Sequence, residues 1–318
     1  MSSSSSSIDP QQVLEWTISL AKQAGSVISK GRETLRDDIA KDYDSIIKKN
    51  SSDLVTKTDQ DTEAFVKKAI LDKWGPETKF IGEESYAAGE ENVLDDALTF
   101  IVDPIDGTTN FTHAFPFFCI SIAVAYKSQL LAGVVYAPFL DRLYTGLAGQ
   151  GSYLITPSDG TPRKLPLQKP LPLPSLKQAL IALEWGSDRK HETVERKART
   201  MEKLASQRGN MVQGIRSIGS AALSCCFVAE GSMDLYHEIG CWAWDIGAGF
   251  TIINEAGGLT VGSKDDTLSK IKANGKELGI VTPQVLQGRK YCVVRGAERD
   301  DQVGLLKEFF EAMDEWEA

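Results

Sequence analysis

Histidine is scarce in this chain, with three in 318 residues. Chemistry built on several imidazoles is therefore excluded, and the 44 aspartates and glutamates are the reactive groups in supply. Cysteine is hardly commoner. Cys119, Cys225, Cys226, Cys241 and Cys292 are odd in number, scattered and without a CxxC spacing. That pattern speaks against a disulfide or zinc framework and for reduced core residues in a cytoplasmic protein. No apolar run is long enough to cross a bilayer; stretches 117–126 and 130–140 read as buried strands. The opening Met-Ser-Ser-Ser-Ser-Ser-Ser lacks the apolar centre of a secretory signal, and 1–8 reads as a disordered tail. Excess positive charge is missing too. With 35 Lys and Arg the net charge is -9, which argues against nucleic acid or an anionic membrane as the main partner. An anionic small molecule stays possible, because a bound cation reverses the local field.

What is present is an ordinary globular composition, 42% hydrophobic and 25% charged, in a chain long enough for one large or two smaller cores. Asp9-Pro10 with Gln12 opens a helix, followed by Leu14, Ile18, Ala21 and Ile28 on one face. Residues 37–50 are charged and less patterned, and read as a loop or a frayed helix end. A second helix is expected over 61–74, stopped by Gly75-Pro76. Strands follow at 79–81, 99–102, 119–126, 131–136 and 143–147, abutting without helices and so suggesting antiparallel pairs. Six of the twelve prolines fall within 157–174, which reads as a connection between halves. Beyond it strands and helices alternate, with a polar insertion at 262–288 and a closing helix from Glu298. The expected organisation is a tail (1–8), an N-terminal α+β half (9–156), the proline-rich connection (157–174) and a C-terminal α/β half (175–318).

The informative feature is where acids fall. Asp59 precedes a helix, Glu83 follows a strand, Asp103 and Asp106 follow a strand, and Asp245 precedes a helix. Strand ends and helix starts are where α/β proteins place ligand groups. Pro104 keeps Asp103 extended and forces a turn, so both aspartates and the Ile105 carbonyl can converge on a point. Such hard oxygen donors suit Mg²⁺. Gly107-Thr108-Thr109 follows, where free N–H groups at a helical turn favour a phosphate oxygen and Gly107 allows close approach. Each piece has a plainer reading: a surface turn for Asp103–Gly107, a solvated loop for Glu83-Glu84, a helix cap for Asp245. Trp242 and Trp244 read as core or pocket wall, His113 and His237 as structural, Glu230 and Asp234 as surface, and 311–317 as a solvated helix end. Residues and spacing alone reach magnesium-dependent phosphate chemistry and no further.

Four motifs in order carry a resemblance. They are Asp53-Leu54-Val55-Thr56 with Thr58-Asp59, Phe80-Ile81-Gly82-Glu83-Glu84-Ser85, Asp103-Pro104-Ile105-Asp106-Gly107-Thr108-Thr109-Asn110-Phe111, and Trp244-Asp245-Ile246-Gly247-Ala248-Gly249. The chain resembles the inositol monophosphatases, lithium-sensitive magnesium-dependent phosphatases, over nearly its whole length. The resemblance implies a layered α-β-α-β-α sandwich with two sheets of mixed and antiparallel pairing. It implies two or three Mg²⁺ ions on Glu83, Asp103, the Ile105 carbonyl, Asp106 and Asp245. It implies that Asp59 and Thr108 orient the attacking water, and that Gly107, Thr108 and Thr109 hold the phosphate. Gly219, Ser220, Ala221 and Glu238 then line the substrate, with Ser220 in place of a threonine common in the family. Lys48 and Lys49 fall in a segment the family uses as a mobile loop. A small phosphate ester is the implied partner and a homodimer the implied assembly. Two other readings remain at this stage: a same-scaffold phosphatase for another small phosphate, and a catalytically idle metal-responsive relative. Arg216 is the one arginine expected near the site, too few for a second phosphate.

Overall fold

The computed structural model describes residues 8–41, 46–48, 55–273 and 275–318. Residues 1–7 of the tail expected over 1–8 lie outside them, as do Lys49, Asp53 and Leu54. Helix α1 (Pro10–Lys41) opens as its sequence requires, with Pro10 in the first position and the Asp9 carboxylate accepting the Gln11 N–H at 3.0 Å. It runs on through 37–41, part of the stretch expected as loop or frayed end. Helix α2 (Lys57–Trp74) starts four residues before the expected 61. Asp59 therefore sits inside its first turn, not ahead of it, where its carboxylate accepts the Thr56 N–H at 2.8 Å.

The chain next lays down β1 (Lys79–Gly82), the short helix α3 (Glu83–Ala87), β2 (Thr99–Asp106), the short helix α4 (Thr108–His113), β3 (Cys119–Tyr126), β4 (Gln129–Ala137), β5 (Arg142–Leu147), β6 (Gly151–Ile155) and β7 (Pro162–Lys164). These seven strands form one sheet in chain order, β1 parallel to β2 and the others antiparallel. β6 and β7 escaped the sequence reading, and β7 lies inside the proline-rich 157–174. Pro162 is tolerated there because β7 is an edge strand, paired on one side only.

The remaining elements are β8 (Leu180–Leu183), α5 (His191–Ala205), β9 (Gly214–Arg216), α6 (Ala221–Glu230), β10 (Leu235–Ile239), α7 (Ala243–Glu255), β11 (Leu259–Val261), α8 (Lys264–Lys272), α9 (Pro283–Leu286), β12 (Lys290–Val294) and α10 (Arg299–Ala312). A second sheet runs β11-β12-β10-β8-β9, parallel where β8 meets β10 and β9, antiparallel around β12. Three apolar cores stack the layers. α1 and α2 cover one face of the first sheet, α6 and α7 fill the space between sheets, and α5 and α10 cover the outer face of the second. This is the five-layer α-β-α-β-α arrangement that the resemblance implied. No helix among the described residues is long and apolar enough to cross a membrane, and all five cysteines are buried and free.

Some plain readings need correction. Glu230 is buried beside Arg142 at 2.8 Å, and Asp234 pairs with Arg295 at 2.6 Å, so neither is a bare surface acid. Their charges hold the ends of α6 and β10 to distant strands. The acidic end is not a helix terminus in solvent. α10 stops at Ala312, and the chain turns back across α5, with Asp314 3.0 Å from Arg199 and 2.7 Å from Lys203.

Close layer packing depends on missing side chains. A Cβ on Gly133 of β4 would lie 2.4 Å from the Ala248 carbonyl of α7, and one on Gly146 of β5 3.0 Å from Ile252 Cα. Gly133→Val should therefore destabilise the fold by about 1–3 kcal/mol through overpacking, measurable by urea unfolding. A second expectation concerns His237, buried against Phe309 with ring centres 5.0 Å apart. Burial, with the Lys197 charge adding, pushes its imidazole down to about 3. The unfolded chain therefore binds a proton between about pH 6.5 and 3 that the native state refuses, and stability drains away as pH falls through that window. The stability difference between His237→Leu and wild type should shift in favour of the variant by up to about 1.4 kcal/mol per pH unit below 6. A pH-independent difference in denaturation midpoints would contradict this.

Candidate active site

The centre of the site is made by an irregularity in β2. Asp103 pairs with Ser121 and Asp106 with Cys119, so β2 holds one residue more than β3 across this step. In a regular strand, residues three apart face opposite sides. Here Ile101 faces the middle core while Ile105 has turned to the α1–α2 core, which leaves Asp103 and Asp106 on one side. Pro104 fits because β1 pairs only as far as Val102. Both aspartates lie within the strand, Asp106 as its last residue, rather than beyond it. Asp245 is the third residue of α7, not a residue before it. Its carboxylate accepts the Trp242 N–H at the helix start.

Asp103, Asp106 and Asp245 each bring one carboxylate oxygen within 4.8 Å of the others. Burial, reinforced by Glu83 and by their mutual repulsion, holds Asp103 and Asp245 well above the usual carboxylate range. Burial pushes Asp106 up to about 6, against the opposing Ser220 hydroxyl and the Ala222 and Ala221 N–H groups. Those N–H groups donate at 2.9 and 3.2 Å from the first turn of α6. Among the described residues no Lys, Arg or His pairs with any of the three. Hard oxygens, clustered, buried and short of positive charge, are the donor set that Mg²⁺ takes, so the residues fit the implied metal.

Glu83 stands slightly apart. It opens α3, and its carboxylate meets Lys48 Nζ at 2.9 Å, which Glu84 also meets at 2.9 Å. The sequence reading missed the support beneath it. Glu63 of α2 accepts the Glu84 N–H at 2.8 Å and the Ser85 N–H at 2.7 Å, fixing the start of α3. Gly82 is needed because a Cβ there would lie 2.6 Å from a Glu63 oxygen.

Asp59 and Thr108 meet as the resemblance implied, with Thr108 Oγ1 3.0 Å from Asp59 Oδ1. The single hydroxyl proton has a second acceptor in reach, the Ile105 carbonyl at 3.1 Å. Burial raises Asp59 to about 7; the Thr56 hydroxyl opposes this and the Glu83 charge adds to it. Gly107 takes φ 90°, and a Cβ on it would lie 2.9 Å from the Phe117 carbonyl. Asn110 ties this turn to the other half of the chain, donating to the Phe117 and Ile218 carbonyls at 2.7 and 2.8 Å. Gly219, at φ 73°, passes directly beside it. Thr109, Gly219, Ser220, Ala221, Glu238 and Asp245 all line one cavity of about 430 Å³.

Glu238 accepts the Tyr236 hydroxyl, and burial holds it above its usual range. Beside it the unforeseen Glu184 accepts the Gly219 N–H at 2.9 Å; burial, with Glu238 adding, raises it to about 8. Arg216 is not a site residue: it is exposed and donates to the neighbouring Ile215 carbonyl. Two other arginines line the cleft, Arg189 in this cavity and Arg289, one residue past the insertion, in the adjoining lobe; the role of Arg289 was unforeseen. Nothing in its local sequence marks it, since only the pairing of β12 with β10 carries it there.

Residues 9–295 match the inositol monophosphatase family. The chain is 39% identical over 262 residues to the protein qutG of Emericella nidulans, covering 79% of this chain and 76% of that one. It is 38% identical over 276 residues to inositol monophosphatase 1 of Homo sapiens, covering 85% and 92%. Its fold matches the solved inositol monophosphatase of Anabaena (Nostoc) with a TM-score of 0.69 at 26% identity, over 95% of each chain. Shared sequence and shared layers thus agree with the acidic centre: the chain belongs to the inositol monophosphatase family.

Proposed function

We propose that this phosphatase hydrolyses inositol monophosphates to inositol and inorganic phosphate with magnesium. The observation that carries the reading is the meeting of Asp103, Asp106 and Asp245 beside the Asp59–Thr108 hydrogen bond. Magnesium bound by Glu83, Asp103, the Ile105 carbonyl, Asp106 and Asp245 would supply positive charge against a phosphate dianion and make a nearby water more acidic. The protein's own groups do the rest. Ionised Asp59 draws the Thr108 proton, because a carboxylate is a stronger acceptor than the Ile105 carbonyl. The Thr108 oxygen then has a lone pair to accept a hydrogen bond from the attacking water and orient it. The Gly107 turn brings the N–H groups of Thr108 and Thr109 close to the phosphate, since no Cβ stands in the way. Glu238 accepts from hydroxyls of the leaving alcohol, while Ser220 and the N-terminal turn of α6 hold Asp106 in place.

Phosphate release from a panel of D- and L-inositol monophosphates and other small phosphomonoesters, with and without magnesium and lithium, tests the reading. Expected are magnesium-dependent release, fastest from the inositol esters, and inhibition by lithium. No release from any ester would leave only a binding protein. Asp59→Asn should lower kcat by roughly 10²–10⁴-fold while leaving KM nearly unchanged; near-normal turnover would remove Asp59 from the mechanism. Asp103→Asn should act differently, raising the magnesium concentration needed for half-maximal rate, because one ligand charge is gone.

A further inference from the structure

Beyond the carboxylates the cleft continues into a lobe of about 620 Å³. Tyr86, Trp242 and Trp244 pack together in its lining, which Trp316 also joins. The acids on this lobe are already engaged. Glu83 and Glu84 share Lys48, each at 2.9 Å. Glu317 lies 3.1 Å from Lys290. Asp188 accepts the Lys190 N–H at 3.0 Å and the Thr193 hydroxyl at 2.9 Å. Glu238 accepts the Tyr236 hydroxyl, and Asp245 the Trp242 N–H.

Arg289 is different. Among the described residues no carboxylate pairs with it. Its guanidinium lies over the Trp242 ring, 3.9 Å from the centre. Nη2 donates to the Gly240 carbonyl at 2.7 Å, and Nε is buried with no acceptor. The group is also held in advance of any ligand. Trp242 stacks on Trp244 at 5.3 Å, and Tyr86 packs on both. The backbone is fixed as well: Arg289 N–H donates to the Tyr291 hydroxyl at 2.9 Å, and Gly240 N–H to the Arg289 carbonyl at 2.8 Å. A guanidinium stacked over an indole keeps its in-plane donors, and with Nη2 giving one hydrogen to Gly240, the Nη1–Nη2 edge has the other Nη2 hydrogen and Nη1 left for a planar acceptor. A carboxylate meets that edge with two parallel charge-assisted hydrogen bonds, which a single neutral hydroxyl does not.

We infer that Arg289 is a specificity-determining residue that receives a carboxylate carried by the leaving alcohol of a phosphomonoester. The inference rests on the phosphomonoesterase reading and widens the substrate class to ring-sized alcohols bearing an acid group. Their phosphate lies at the aspartate cluster and their acid group under the Trp242 wall.

The test uses matched esters, 3- and 4-carboxycyclohexyl phosphate against the corresponding hydroxymethylcyclohexyl phosphates. With the magnesium-loaded wild type, kcat/KM should favour at least one acid ester over its neutral partner. Arg289→Gln should lower that preference at least tenfold, mainly through KM, and Arg289→Lys should retain part of it. Equal losses on acid and neutral esters would mark a structural role and overturn the inference, as would a wild type that prefers the neutral esters. If neither ester releases phosphate, release from the inositol monophosphates tells separately whether the phosphatase reading stands, and ligand binding followed by tryptophan fluorescence decides the inference. There, tighter binding of the acid ester that is lost in Arg289→Gln upholds the inference, and equal binding of the two esters by wild type overturns it.

Discussion

Three carboxylates crowded together, Asp103 and Asp106 buried and Asp245 half-buried, repel one another and lose most of their water, and no side-chain cation among the described residues pairs with them. Isolated, each such charge would cost several kcal/mol. The surrounding fold answers with backbone dipoles. α6 presents its first N–H groups to Asp106, and the start of α7 presents the Trp242 N–H to Asp245. These groups hold the carboxylates in place without neutralising them. The residual negative charge is what fits the centre to a divalent cation.

The geometry needed for this convergence is distributed over the whole chain. The extra residue in β2 turns two aspartates to one side, and α7 brings the third down from the other half. α7 can sit that low only because Gly133 and Gly146 leave the sheet bare beneath it. Asn110 then ties the turn after β2 to the segment between β9 and α6. A shift in any one of these would move a ligand oxygen relative to the others, and catalytic positioning tolerates little such movement. The buried, close-packed middle core is the mechanical reason for the precision of the site.

The cleft divides its work along its length. Acids and turn amides gather at one end, where charge must be managed. Aromatic rings and a stacked arginine line the other, together with acids that are already paired or hydrogen-bonded. The chain beyond α10 belongs to this second end, since Trp316 packs edge-on to His237 and reaches the lobe. Chemistry and selectivity can thus vary separately on one scaffold.

Much of this was legible in the residues themselves. The start of α1, the stop of α2, the strand 119–126 and the alternation of the second half follow from local periodicity and capping, which act over a few residues. The acids at element edges, with Gly107 and its threonines, disclosed phosphate chemistry, and the motif order pointed to the family. What escaped depends on contacts far apart in sequence. β7 is a strand only because β6 offers it an edge. Glu230 and Asp234 are drawn in from solvent because Arg142 and Arg295 reach them. Glu63, Glu184 and Arg289 carry no local signal, because their roles are set by what the sheets bring beside them. The sequence by itself determined which groups were available and how each short segment folds. Tertiary structure alone decided that Asp103, Asp106 and Asp245 share one point, because distance between side chains is fixed by packing of layers and not by spacing along the chain.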